Sequence, residues 1–209
     1  MKTWTKYRNY LLKGEWHVHS NYTDGMCSIK DYCQRAVEVG LPLIAFTEHV
    51  RKNLDYDFSS FLNDIEIAKE EFDIVILSGC EAKVLPSGDL DVSEDVLKQV
   101  DYPIFAYHSF PIDIDLVLTS LKKVLKNKYV NAWAHPGAFL KKNNLQLPEE
   151  DLIEIFHLVK RMDVLLEVNN KYKVPSSTWM SLAEKVGVEF VRGSDVHNIT
   201  SIKHDLYII

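Results

Sequence analysis

Apolar and polar positions along this chain fall into alternating short blocks. Residues 41–47, 72–80, 102–107, 129–134, 164–168 and 188–191 are compact apolar runs, each the length of a strand buried on both faces. Between them the spacing turns helical. Ser28 can cap a helix over 28–39, with Ile29, Tyr32, Cys33, Ala36 and Val37 as its apolar stripe and Gly40 as its stop. A second helix runs from Asp57 or Ser59 to Glu71, with Phe61, Leu62, Ile65 and Ala68 inward. Residues 82–92 read as a small hairpin or loop. Ser93, Glu94 and Asp95 then open a short helix with acidic side chains in its first turn, as the helix dipole favours. Further helices are predicted over 113–126, over 147–161 with Pro148 in its first turn, and over 175–186 ending at Gly187. With a short opening strand at 15–19, strand and helix alternate about seven times. That order predicts an α/β fold with a parallel sheet.

The strand ends carry the chemistry. His17 and His19 are one residue apart in the opening strand, so their side chains share a face, while Trp16 and Val18 point the other way. Asp24 follows in a turn closed by Gly25. A lone pair of this kind is as readily a solvated surface strand. The far end of the chain changes that reading, because residues 191–197 end in a same-face Asp195 and His197. In between, successive runs end at Glu48-His49, Glu81, His108, His135 and Asn169. Six of the eight histidines lie at or just past strand ends; His157, mid-helix, and His204 do not, and read as structural or solvated. A closed barrel brings such ends to one mouth, whereas an open sheet spreads them along an edge. Imidazoles and carboxylates converging in this way are a ligand set for divalent metal ions.

Size and charge narrow the function. The 209 residues suit a single domain over 1–209, with a hydrophobic fraction of 46%. A net charge of −6 weighs against a dedicated nucleic-acid binder. The aromatic, basic stretch 1–13 lacks the apolar core of a signal peptide, and no apolar run is long enough to span a membrane. A cytoplasmic location is the expectation. The three cysteines, Cys27, Cys33 and Cys80, have no CxxC spacing and read as reduced thiols, Cys33 in the core and Cys27 near the opening site.

The ordered set of HxH with Asp-Gly, Glu-His, Glu, His-Ser, His-Pro and Gly-Ser-Asp-x-His resembles the PHP (polymerase and histidinol phosphatase) superfamily across about residues 15–198. The segment 88–91 with Asp101-Tyr102 resembles the family's stretch before the next His. The resemblance implies a distorted (β/α)7 TIM-like barrel holding two or three divalent ions of zinc, manganese or iron. It places His17, His19, Glu81 and Asp195 on one ion. Glu81 would bridge to a second held by His108 and His135. Asp24, His49 and His197 would hold a third. The implied reaction is hydrolysis of a small phosphomonoester by metal-activated hydroxide, with histidinol phosphate as the best single guess. Alternatives are a PHP-type nuclease or nucleotide phosphatase, and an amidohydrolase-like metal hydrolase. The last is disfavoured, because His108 stands where such enzymes supply a bridging lysine.

Asp195 and His197 are the candidate proton carriers, and Arg51, Arg192 and Lys83 the candidate contacts for a substrate phosphate. Glu48 can orient an imidazole or pair with a lysine, and Asn169 reads as supporting a ligand rather than as one. Histidinol phosphatases of the family are generally longer. The short mouth loops here, and the short stretch after His197, predict a more open site and no polymerase module. The partner expected is a small phosphorylated substrate, with no membrane and with nucleic acid disfavoured; the oligomeric state is left open.

Overall fold

The computed structural model describes residues 2–203, so His204 lies outside the described residues. Seven strands pair in chain order: β1 (Glu15–Val18), β2 (Leu43–Val50), β3 (Val75–Lys83), β4 (Tyr102–Ala106), β5 (Ala132–Trp133), β6 (Leu165–Val168) and β7 (Phe190–Arg192). Every neighbouring pair is parallel. The connecting helices are α1 (Ile29–Glu38), α2 (Phe58–Glu71), α3 (Glu94–Gln99), α4 (Ile114–Val124), α5 (Ala138–Lys142), α6 (Glu149–Arg161) and α7 (Ser177–Val186). The barrel closes just beyond β1 and β7. Val18 bridges Val196 in parallel, His19 N donates to Val196 O at 2.8 Å, and Val196 N donates to His17 O at 2.9 Å. The predicted α/β barrel is the observed fold.

Strand alternation sorts the core. In β2, Leu43 and Ala45 join the barrel interior with Leu77, Tyr102, Ile104 and Leu165. Ile44 and Phe46 pack outward with Ile29 and Tyr32 of α1 and with Phe61 and Ile65 of α2. Continuing the same alternation toward the C-terminal ends places His49, Glu81 and His108 over the interior. Below them the base is sealed by a 3-10 helix (Thr3–Tyr10), which the sequence pattern did not reveal. Its Trp4, with Leu11 just past its end, packs into the interior cluster, and Trp16 Nε1 donates to Tyr10 O at 2.9 Å.

Several expectations need correcting. Trp16 and Val18 do not share a face. Trp16 lies in the interior cluster and Val18 under α1, because the β1–β2 register shifts between Glu15 and Val18. Val37 is 44% exposed, so the α1 stripe is Ile29, Tyr32, Cys33 and Ala36 alone. The fifth strand shrinks to Ala132–Trp133, and α5 follows directly after His135-Pro136-Gly137, where no helix was predicted.

Candidate metal centre

His17, His19, Glu81, His135 and Asp195 are buried at the barrel mouth, while His49, His108, His197 and Asp24 stand nearer its rim. Their potential ligand atoms converge in four overlapping groups, each within 4.8 Å: His17, His19 and Asp195; His17, Glu81 and His135; His49, Glu81 and His108; His19, Asp24, His49 and His197. Glu81 belongs to two of them. Its Oε1 lies 2.9 Å from His135 Nε2 and 3.3 Å from His108 Nε2, and its Oε2 lies 3.0 Å from His49 Nδ1. All nine ligand candidates therefore meet in one cluster. The grouping differs from the expectation in detail, since His19 also faces Asp24, His49 and His197.

Two observations fit divalent ions to this donor set. First, the tautomers of two histidines are set by acceptors on the side of each ring away from its Nε2. His17 Nδ1 lies 2.7 Å from the Glu167 carboxylate and His197 Nδ1 lies 3.0 Å from Asp195 O. Both partners only accept, so each Nδ1 carries the proton and each Nε2 can offer its lone pair inward. His17 Nε2 and His19 Nε2 then face each other at 3.0 Å. Second, His49 Nδ1 and Glu81 Oε2 are buried and close without hydrogen-bond geometry, and His19 Nδ1 and His108 Nδ1 are likewise unpartnered among the described residues. Donor atoms that approach without bonding to one another are arranged as ligands of a common ion. Mixed imidazole and carboxylate without sulfur suits zinc, manganese or iron.

Charge is held by the same contacts. Burial alone would lift the Glu81 carboxyl, but His17, His108 and His135 hold it well below the usual carboxylate range. Burial alone would lower His17, yet Glu167 and Glu81 hold its imidazole well above the usual value. His19 is pushed down to about 4 by burial, against its bond to Asp195 and with help from neighbouring His17. Asp195 stays ionised: its burial is outweighed by His19 and His17. His135 and Asp195 also adopt φ of 32° and 51°, backbone that L side chains rarely take and that concentrates at functional sites.

The supporting residues were mostly invisible to sequence reasoning. Glu167, buried on β6, places Oε2 against His17 Nδ1 and accepts the His135 backbone N–H at Oε1, 3.0 Å away. Asn169 Nδ2 donates to that same Oε1 at 2.8 Å, so Asn169 supports a carboxylate and not an imidazole. Gly193 lies against the Glu167 carboxylate so closely that any Cβ there would clash with it. Asp195 Oδ2 is held by Lys171 Nζ at 2.7 Å and Tyr172 OH at 2.8 Å, which turns Oδ1 toward His19 Nε2, 3.2 Å away. Glu48 accepts from Ser20 N and Thr23 Oγ1, bracing the turn that carries Asp24. Its predicted roles, orienting an imidazole or pairing with a lysine, are replaced by that one. Burial pushes its carboxyl up to about 6 despite these bonds. For Glu167 the available signal was its position two residues before Asn169 in a buried strand, on the face shared with that residue.

Of the predicted phosphate contacts, Arg192 is corrected most. It is 3% exposed, its Nε lies 3.4 Å from buried Glu15 Oε2, and its Nη2 donates to Lys203 O. Glu15 also accepts from Ser194 N and Oγ, so this ion pair ties β1 to the 192–195 segment. Arg51, just past the end of β2, donates to Val50 O and its Nε approaches Asp91 Oδ2 at 4.0 Å. Lys83 ends β3 two residues beyond Glu81.

The chain is 30% identical over 198 residues to a DNA polymerase/3'-5' exonuclease (PolX) of Bacillus subtilis, covering 90% of this chain but 35% of that protein. It thus spans about a third of that relative's length. It is 29% identical over 179 residues to a probable phosphatase of Clostridium novyi, covering 78% of this chain and 69% of that one. The fold matches a histidinol phosphate phosphatase of Lactococcus lactis, crystallised with zinc, L-histidinol and phosphate, at a TM-score of 0.65 and 19% identity, over 90% of this chain and 87% of that one. Among the described residues no helix is long and apolar enough to cross a membrane. The profile of the PHP domain matches residues 15–171, from the first strand through the loop that bears Lys171, and this chain belongs to the PHP domain family.

Proposed function

We propose that this chain hydrolyses a small phosphomonoester with two or three divalent ions seated in the nine-residue cluster. The reaction class, a metal-dependent phosphoesterase, is that of its family and of relatives named as phosphatases. Histidinol phosphate is the first compound to try, being the predicted substrate and the one a fold neighbour is named for. The observation that carries the proposal is Glu81, a buried carboxylate shared by two different histidine groups.

Closely spaced dications supply an activated water and a positive clamp for phosphoryl oxygens. The protein's own residues do the rest. Glu167 holds His17, and through its backbone His135, in ligating orientation. Lys171 and Tyr172 fix one oxygen of Asp195 and leave the other for the cluster. With two ions seated in the deeper groups, His197 Nε2, 3.2 Å from Asp24 at the rim, is left to pass a proton to a departing alkoxide or take one from water; with a third ion seated beside Asp24 it is a ligand instead. No side-chain nucleophile is required. Ser194, the serine beside Asp195 in sequence, has its backbone N–H and its hydroxyl directed to Glu15.

A second reading, removal of nucleotides from single-stranded ends, has in its favour the similarity to the Bacillus polymerase/exonuclease. One experiment tests both. Phosphate or nucleotide release is measured for the manganese- or zinc-loaded protein on histidinol phosphate, nucleoside monophosphates, sugar phosphates and a short single-stranded oligonucleotide, with Asp195→Asn as the blank. Turnover removed by chelator and missing from the blank supports the phosphoesterase reading. No turnover by metal-loaded protein overturns it.

A further inference from the structure

Two cavities open beside the cluster, of about 470 Å³ and about 450 Å³, and they share Lys171 as a wall. The first is lined on its far side by Arg192, Ser194, Asn198 and Lys203, the second by His108, His135, Lys141, Lys142 and Tyr172. Five basic side chains thus line the two cavities, and Asp195 is the single carboxylate among the described lining residues. The whole chain carries 30 acidic against 24 basic residues, so this local excess runs against the overall balance. Lys171 is matched by Asp195 and Arg192 by Glu15. Lys141, Lys142 and Lys203 make no ion pair among the described residues, Lys141 donating only to Tyr172 O at 3.0 Å. Cavity walls of one sign concentrate ligands of the other.

A phosphomonoester presents one dianionic group to the cluster. The rest of the substrate must occupy a cavity, and the one carboxylate among the described lining residues, Asp195, is already paired with Lys171. Resting on the phosphoesterase reading, we infer that the substrate is a small phosphate ester whose leaving group carries a second anionic group, phosphate or carboxylate, received by the lysines of these cavities. The two cavities give that second group a place on either side of Lys171. Histidinol phosphate, with an amine on its leaving group, is the wrong sign for both. The reaction balances as simple hydrolysis: the ester P–O bond breaks, water supplies the oxygen to phosphate, and a proton goes to the leaving oxygen.

The test compares kcat/KM of the metal-loaded protein on glycerol 3-phosphate, 3-phosphoglycerate, fructose 1,6-bisphosphate, histidinol phosphate and a short single-stranded oligonucleotide. The expected result is a preference of about tenfold or more for the two small anionic esters over glycerol 3-phosphate, with histidinol phosphate below it. That preference should shrink with added salt and fall toward unity in Lys142→Ala and Lys141→Ala, mainly through KM. Equal turnover of anionic and neutral esters, or a preference for histidinol phosphate, overturns the inference while leaving the phosphoesterase reading intact. Preference for the oligonucleotide over every small ester overturns it in favour of a nucleic-acid end. Release from no compound overturns both. A preference that persists in both lysine variants shows that the second group sits elsewhere and also overturns it.

Discussion

The carboxylate of Glu167 lies 2.7 Å from His17 Nδ1, although the two residues are 150 positions apart. One oxygen fixes the tautomer of a ligand on β1, and the other accepts the backbone N–H of His135 after β5. Glu167→Gln keeps the shape and an acceptor but removes the charge that holds His17. Metal affinity should fall about 10- to 100-fold with the far-UV spectrum unchanged. Wild-type affinity in the variant would show that His17 is positioned without it.

Gly193 is the space in which that carboxylate sits. In Gly193→Ala the new methyl must displace Glu167 or the β7 backbone. Metal affinity should drop in the same direction as in Glu167→Gln. The melting temperature should also fall, by an amount equivalent to about 1–3 kcal/mol. Calorimetry with and without metal separates the two effects.

His135→Ala and Asp195→Asn remove ligand candidates from two different groups of the cluster. Both proteins should fold and lose activity to background. Full turnover by both would defeat the site assignment.

Metal uptake should release a proton. In the metal-free protein His17 is held protonated at neutral pH by Glu167 and Glu81, against its burial, whereas His19, at about 4, is already neutral. An ion at His17 Nε2 must expel that proton. Apparent affinity therefore rises with pH, by at most about tenfold per unit below the His17 pKa. Titration calorimetry in buffers of different ionisation enthalpy counts the protons. A count of zero at pH 7 contradicts this account of His17.

Removing metal should also loosen the mouth. Each ion bound only by the folded state adds about 2.7 kcal/mol at a hundredfold excess over its dissociation constant. Chelation should lower the melting temperature, with protection from hydrogen exchange lost first around residues 17–25 and 193–197. An unchanged melting temperature would mean that the cluster does not hold metal.

The strand–helix order and the placement of His49, Glu81, His108 and His135 at strand ends were legible in the sequence, because periodicity and strand termini are local properties. So was the family resemblance, since its motifs are short and keep their order. Only the tertiary structure decided which residues support them. Glu167, Lys171 and Tyr172 act through partners 23 to 150 positions away, and no periodicity encodes such a pairing. The same holds for Arg192, which looked like a phosphate contact at a strand end and is instead paired with Glu15. It holds too for Trp16, whose face was reversed by a register shift that only the neighbouring strand imposes. Local sequence fixes what a segment is and which residues it can present. Closure of the barrel fixes what each of them meets.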